Sequence, residues 1–128
     1  MRYLLDTHTF LWFINDDVAL SQHAKRLIEH PDHDIYLSVV SIWEMGIKIS
    51  LGKLALPSPF EDFIALQIVD NNLILLDIKI EHVTGILRLP FHHRDPFDRL
   101  LLAQAQYEKL TIIGNDNIFP NYGISIVW

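Results

Sequence analysis

Residues 95–116 read DPFDRLLLAQAQYEKLTIIGND, and the fold turns on how this stretch divides. Asp95 offers a side-chain cap and Pro96 suits the first helical position. The run that follows, to about Lys109, is apolar nearly all round and predicts a central, buried helix. Thr111 to Ile113 is short, β-branched and apolar, and Gly114-Asn115-Asp116-Asn117 ends it as a turn. A buried helix feeding directly into a short strand is the repeating unit of an α/β fold.

The rest of the chain follows the same grammar. Arg2 to Leu5 predicts a first strand ending at Asp6, and Thr9 to Asn15 a helical turn rich in Phe10, Leu11, Trp12 and Phe13. Ser21 caps a helix through His30, which Pro31-Asp32 breaks before a second strand over Ile35 to Val40. Ser41-Ile-Trp-Glu44 opens a helix to about Leu51, stopped by Gly52, with Glu44 in its first turn. Ser58-Pro59-Phe-Glu61 is a capping signature with proline at the first helical position, and Asn71-Asn72 ends that helix. Leu73 to Leu76 reads as a third buried strand, Lys79 to Leu87 as a short helix, Leu89 to His93 as a loop, and Ile124 to Val127 as a fifth strand. Alternating strands and helices joined by short turns predict parallel strands covered on both faces. No linker or repeat interrupts residues 1–128, so one domain is expected.

Composition narrows the function classes. The chain has no cysteine, which removes thiolate zinc sites and cysteine nucleophiles and fits a reducing, cytoplasmic setting. Asp6 interrupts the amino terminus before an export signal could form, and no apolar stretch reaches the ~18 residues of a membrane span. Net charge is −6, with 16 acids against 10 bases, which argues against a simple nucleic-acid binder unless bound divalent ions neutralise clustered acids.

Clustered acids are what the element pattern predicts. Asp6, Glu44, Asp98 and Asp116 each fall where a strand ends or a helix begins, and in an open α/β sheet such positions line one crevice. Oxygen ligands of this kind suit a hard cation and chemistry on phosphate esters. Each acid also has a plainer role: Glu44 as the last member of a capping box, Asp98 as a partner of the helix dipole, Asp6 and Asp116 as turn residues. Asp98 resists that reading, since a carboxylate on a buried helix must be hydrogen-bonded or metal-bound.

Tyr-Leu-Leu-Asp6-Thr, Ser41-x-x-Glu44, the segment from His93 to Ala105, and Asn115-Asp116-x-x-Phe119 together resemble a PIN-domain ribonuclease. More narrowly, they are similar to the VapC-type toxins of bacterial toxin-antitoxin pairs. The resemblance implies a three-layer α/β/α fold with a parallel five-stranded sheet in the order 3-2-1-4-5. It implies a metal-dependent endoribonuclease using Mg2+ or Mn2+, with Asp6, Glu44, Asp98 and Asp116 as metal-binding acids and Asp95 as a further acid beside them. Thr7 and Ser41 become polar supports. It also implies RNA as substrate, a VapB-like antitoxin that places a basic side chain near the acids, and leaves room for a homodimer. The chain departs from the family where a Ser or Thr often stands two positions before the last acid: here the residue is Gly114.

Competing chemistries make weaker use of the same residues. His92-His93 invites a metal-free ribonuclease, yet adjacent side chains point apart. An aspartyl nucleophile at Asp6 lacks an acid two residues later, where His8 stands. The glycines form neither a dinucleotide fingerprint nor a P-loop. A catalytically weak module that captures a basic partner or RNA is the alternative from another class. Lys48, Lys53, Arg94 and Arg99 flank the acid-bearing segments as phosphate contacts or as ordinary surface charges. Phe10, Trp12, Phe13 and Trp43 read as core and interface rather than as a stacking platform.

Overall fold

The computed structural model describes residues 1–92 and 95–128. His93 and Arg94, and with them the paired-histidine idea and one candidate phosphate contact, lie outside the described residues. Five strands, β1 (Arg2–Leu5), β2 (Asp34–Ser38), β3 (Ile74–Leu76), β4 (Thr111–Ile113) and β5 (Ile126–Val127), alternate with helices. The helices are α1 (Thr7–Ile14), α2 (Gln22–Glu29), α3 (Val39–Ser50), α4 (Phe60–Asp70), α5 (Ile80–Gly85) and α6 (Pro96–Glu108). Short 3-10 turns cover Ile86–Arg88 and Phe119–Tyr122.

The strands form one sheet in the order β3-β2-β1-β4-β5. Every pairing is parallel, with Tyr3 opposite Ile35, Leu4 opposite Ile112, Leu37 opposite Leu75 and Ile113 opposite Val127. This is the three-layer α/β/α arrangement with the strand order that the resemblance implies. Side chains alternate along a strand, so Leu4 and Leu5 in central β1 enter opposite faces. Leu4 joins Leu101, Leu102, Ile112 and Phe119 in one core, while Tyr3 and Leu5 join Phe10, Leu37, Met45 and Ile113 in the other. Helix α6 is buried from Arg99 through Ala105 without a break, as its all-round apolar sequence predicts.

Several boundaries differ from expectation. Strand β2 ends at Ser38, and the β-branched pair Val39-Val40 opens α3 instead of closing the strand. Ser38 drives this: its hydroxyl accepts the Val40 N–H at 3.0 Å and hydrogen-bonds Gln104 on α6, so capping outweighs the weak β preference of two valines. Ser41 is therefore inside the helix, not at its cap. Helix α1 starts two residues earlier than read, at Thr7. Pro59 stands at the N-cap of α4, not at its first helical position, and no side chain caps that helix. Strand β3 is a sheet edge and not a buried strand, with Ile74 and Leu75 39% and 44% exposed. Strand β5 begins only at Ile126, because the 3-10 turn over Phe119–Tyr122 and Gly123, in the left-handed region, occupy the approach.

Candidate metal centre

The strand order places a switch point between β1 and β4: from β1 the chain proceeds outward to β2 and β3, then returns to β4 and β5 on the other side. At such a point the carboxyl ends of neighbouring strands leave a crevice. Asp6 ends β1 there, and its N–H donates to the Ile113 carbonyl at 3.2 Å, tying it to the end of β4. Asp6 occupies the N-cap position of α1, yet its side chain makes no capping bond to the helix and is 6% exposed. The neighbouring His8 and Thr7 N–H favour its charged form without offsetting the burial.

Thr7 and Ser41 meet directly: the Thr7 hydroxyl donates to Ser41 Oγ at 2.8 Å, joining α1 to α3 beneath the crevice. Thr9 adds a hydroxyl bond to the Ile113 carbonyl at 2.8 Å. These buried bonds fix the start of α1 against α3 and β4, so the position of Asp6 is set from both sides.

Because α3 begins at Val39, Glu44 lies in its second turn and not in the first, and the capping-box role expected after Ser41 does not exist. Glu44 is 5% exposed, Lys48 Nζ stands 3.1 Å from its Oε2, and its Oε1 is buried with no hydrogen-bond partner among the described residues. An orphaned carboxylate oxygen is costly in a folded chain and marks a place for a cation or water.

Helix α6 brings two more acids. Asp95 is the N-cap, its Oδ1 accepting the N–H groups of Phe97 at 2.8 Å and Asp98 at 3.2 Å. Asp98 sits in the first turn. Burial, then the charges of Asp6, Asp95, Glu44 and Asp116, push the Asp98 carboxyl up to about 8. Burial also pushes Asp6 up to about 6, with Glu44 and Asp116 adding to the rise and His8 and the Thr7 N–H opposing it. Asp116 lies in the turn after β4, where its Oδ1 accepts the Ile118 N–H at 2.8 Å. The acids drawn from four separate segments thus act on one another, as like charges do at close range in a poorly solvated site.

The donor set is all oxygen and includes the orphaned Glu44 Oε1, which fits a hard divalent ion. Among the described residues, no group of three or more His, Asp or Glu side chains is placed to enclose such an ion. The acids share a field without forming a finished cage.

Other expectations are redistributed. Arg99 is buried and donates to the carbonyls of Pro90, Ile86 and Leu89 at 2.8, 3.2 and 3.4 Å, so it secures the segment before α6 and is not a surface cation for phosphate. Its sequence context, an arginine inside an apolar helix, carried that signal. Trp43 is half exposed and packs edge-to-face on Phe97 at 4.8 Å, unlike Phe10, which is fully buried. His92 packs edge-to-face on Tyr122 at 5.1 Å. The sequence holds no local sign of a network that runs from the surface into the core: His82 bonds Glu108 at 2.8 Å, half-exposed Lys79 pairs with the same oxygen at 2.8 Å, and buried Gln104 links His82 to Ser38. A cavity of about 370 Å³ lined by His30, His33, Phe13 and Asp70 lies at the amino ends of the strands, away from the acids.

The PIN domain family model matches residues 3–124. Solved structures similar to this chain include VapBC2 from Rickettsia felis bound to a DNA fragment from its promoter, at 18% identity and a TM-score of 0.72, covering 99% of this chain and 98% of that one. FitAcB from Neisseria gonorrhoeae follows at 16% identity and 0.68, covering 98% and 96%. DNA-bound VapBC from Salmonella typhimurium gives 16% and 0.68, covering 99% and 97%. These likenesses concern the fold. No curated protein matches the sequence.

Proposed function

The chain belongs to the PIN-domain family, and from that premise we propose that it is a Mg2+- or Mn2+-dependent endoribonuclease of the VapC type. The observation that supports the reading is the mutual influence of Asp6, Glu44, Asp98 and Asp116 around the switch point, with Glu44 Oε1 buried and without a hydrogen-bond partner among the described residues. Asp6 and Asp98 are the principal metal-holding residues, Asp116 assists, and Asp95 combines the helix cap with a supporting charge. A divalent ion bound there supplies charge neutralisation at the phosphate and a more acidic water. Glu44 Oε1 accepts a hydrogen bond from the attacking water and aims its oxygen at phosphorus. As that oxygen bonds to phosphorus, its proton passes to Glu44 Oε1, the P–O3′ bond breaks and the departing O3′ takes up a proton from solvent, leaving a 5′-phosphate and a 3′-hydroxyl. Thr7 and Ser41 hold the Asp6 and Glu44 segments in register.

The similar VapBC and FitAB structures are of paired systems, some bound to DNA. By that analogy the partner here is a VapB-like antitoxin carrying a basic segment into the acid crevice. No helix among the described residues is long and apolar enough to cross a membrane. The test is cleavage of total RNA with Mn2+ by wild type and Asp98→Asn, with mapping of the new ends; equal cleavage by both rejects the site.

A second reading, a weakly catalytic module that binds a basic partner or RNA, draws on the lack of a finished ion cage among the described residues. Stable RNA association without cleavage in Mn2+ would favour it.

A further inference from the structure

We propose that Trp43, held edge-on by Phe97, is the platform on which an unpaired RNA base beside the cleaved phosphodiester stacks. The inference rests on the ribonuclease reading and adds a recognition subsite to it. Trp43 immediately precedes Glu44 in α3, and Phe97 immediately precedes Asp98 in α6. Their rings meet at 4.8 Å and 75°, so the pair bridges the two helices at the point where each delivers an acid to the crevice. The contact fixes the tilt of the indole, yet 53% of Trp43 remains in solvent.

Charge explains why such a surface is needed. The chain carries −6, so beyond the acids that a bound ion neutralises its net charge does not favour a phosphate backbone. Lys48, the cation nearest Glu44 in α3, is engaged by that carboxylate at 3.1 Å. Affinity then gains from an interaction that does not depend on backbone charge. Stacking of a base on an aromatic side chain is such an interaction, and it tolerates any base because every base has a π-face. A base already paired in a duplex cannot present that face, so the subsite selects unpaired nucleotides.

Tyr107 provides an internal control. It is also half exposed on α6, but it lies ten residues beyond Phe97, roughly 15 Å along the helix axis, where it packs on His82.

The experiment uses the full chain in the Asp98→Asn background with Mn2+, which blocks cleavage equally in every variant. Binding of a fluorescein-labelled 12-nucleotide mixed-sequence RNA pool is followed by anisotropy, single-stranded and as a duplex. Trp43→Ala and Trp43→Leu, the latter keeping apolar bulk against Phe97, are expected to weaken single-strand binding about tenfold. Trp43→Phe should stay within about threefold of the parent and Tyr107→Ala should match it. The salt dependence should be unchanged in all of them, because no phosphate contact is lost. Parental affinity in both Trp43→Ala and Trp43→Leu overturns the proposal while leaving the ribonuclease reading intact. A dimer that becomes monomeric in these variants with RNA affinity unchanged also overturns it, assigning Trp43 to a contact between copies. If the parent binds no RNA while the wild type cleaves RNA in Mn2+, the stacking proposal fails alone; if the wild type neither binds nor cleaves RNA, the ribonuclease reading fails with it.

Discussion

Lys48 Nζ lies 3.1 Å from Glu44 Oε2, one helical turn along α3, while the other oxygen of the same carboxylate is buried without a hydrogen-bond partner among the described residues. The lysine is one-third exposed and the glutamate nearly buried, so the two ends of the pair are unequal. Removing the cation strands a buried charge among other acids, whereas removing the acid relieves repulsion. In chelator, Lys48→Met should lose about 1–3 kcal/mol, below the full cost of breaking a buried pair because water screens the lysine. Glu44→Gln should lose almost nothing. Urea unfolding of the two variants checks this, and a Lys48→Met protein as stable as wild type would show that the pair contributes nothing.

The raised carboxyls set a pH dependence with a definite sign. Asp98 moves from 3.8 in the open chain to about 8 in the fold, and Asp6 from 3.8 to about 6. Between those values the folded state holds protons that the unfolded state has released. Metal-free stability should therefore fall as pH rises from about 4, most steeply to about 6 where both groups contribute, and then on to about 8 through Asp98 alone. Asp98→Asn should flatten the upper part of that fall. Saturating Mn2+ binds the ionised acids and should reverse the trend, raising the melting temperature by several degrees near pH 8. Melting curves across pH, with chelator and with Mn2+, read both signs, and a metal-free protein that gains stability from pH 6 to 8 would contradict the placement of Asp98.

Asp95 has two separable roles. Its Oδ1 holds the N–H groups of Phe97 and Asp98, and its charge is among those raising Asp98. Asp95→Ala should cost about 1 kcal/mol through the lost cap, while Asp95→Asn keeps the capping oxygen and most of the stability. If Asp95 is chiefly structural, Asp95→Asn should bind Mn2+ within a few-fold of wild type by calorimetry. A loss as large as that of Asp98→Asn would instead make it a direct ligand.

How much of this was legible without coordinates differs from residue to residue. The cap at Asp95, the proline at the first turn and the unbroken burial of α6 are local properties, and the sequence carries them in full. The strand order came only with the family resemblance, since alternation predicts parallel strands but not which ones neighbour. Glu44 reaches the crevice for a reason the sequence shows only in part: Ser41 has the signature of a cap, but Ser38 is the cap, its hydroxyl accepting the Val40 N–H while also bonding Gln104, sixty-six residues away. No local window contains that partner. The bonds of Arg99 and the His82–Glu108 pair were hidden for the same reason, being contacts between segments distant in the chain.

Gly114 shows the reverse case, where the sequence displays a gap and the structure supplies its meaning. Read against the family pattern, the glycine is a missing hydroxyl near the last acid. In the fold, a Cβ at this position would stand 3.1 Å from Asp6 Cβ and 3.6 Å from Asp6 Oδ2. Neither neighbour can easily retreat: the Asp6 N–H is bonded to Ile113 O at 3.2 Å, and the Gly114 N–H to Val127 O at 3.1 Å. The glycine thus admits Asp6 to the crevice at a distance that a side chain would contest. Gly114→Ala and Gly114→Ser should each cost about 1–2 kcal/mol and weaken Mn2+ binding, by pushing Asp6 out of place. The serine should gain nothing over the alanine. A Gly114→Ser protein that is as stable as wild type and binds Mn2+ more tightly would restore the simpler view, that this site lacks a hydroxyl it could use.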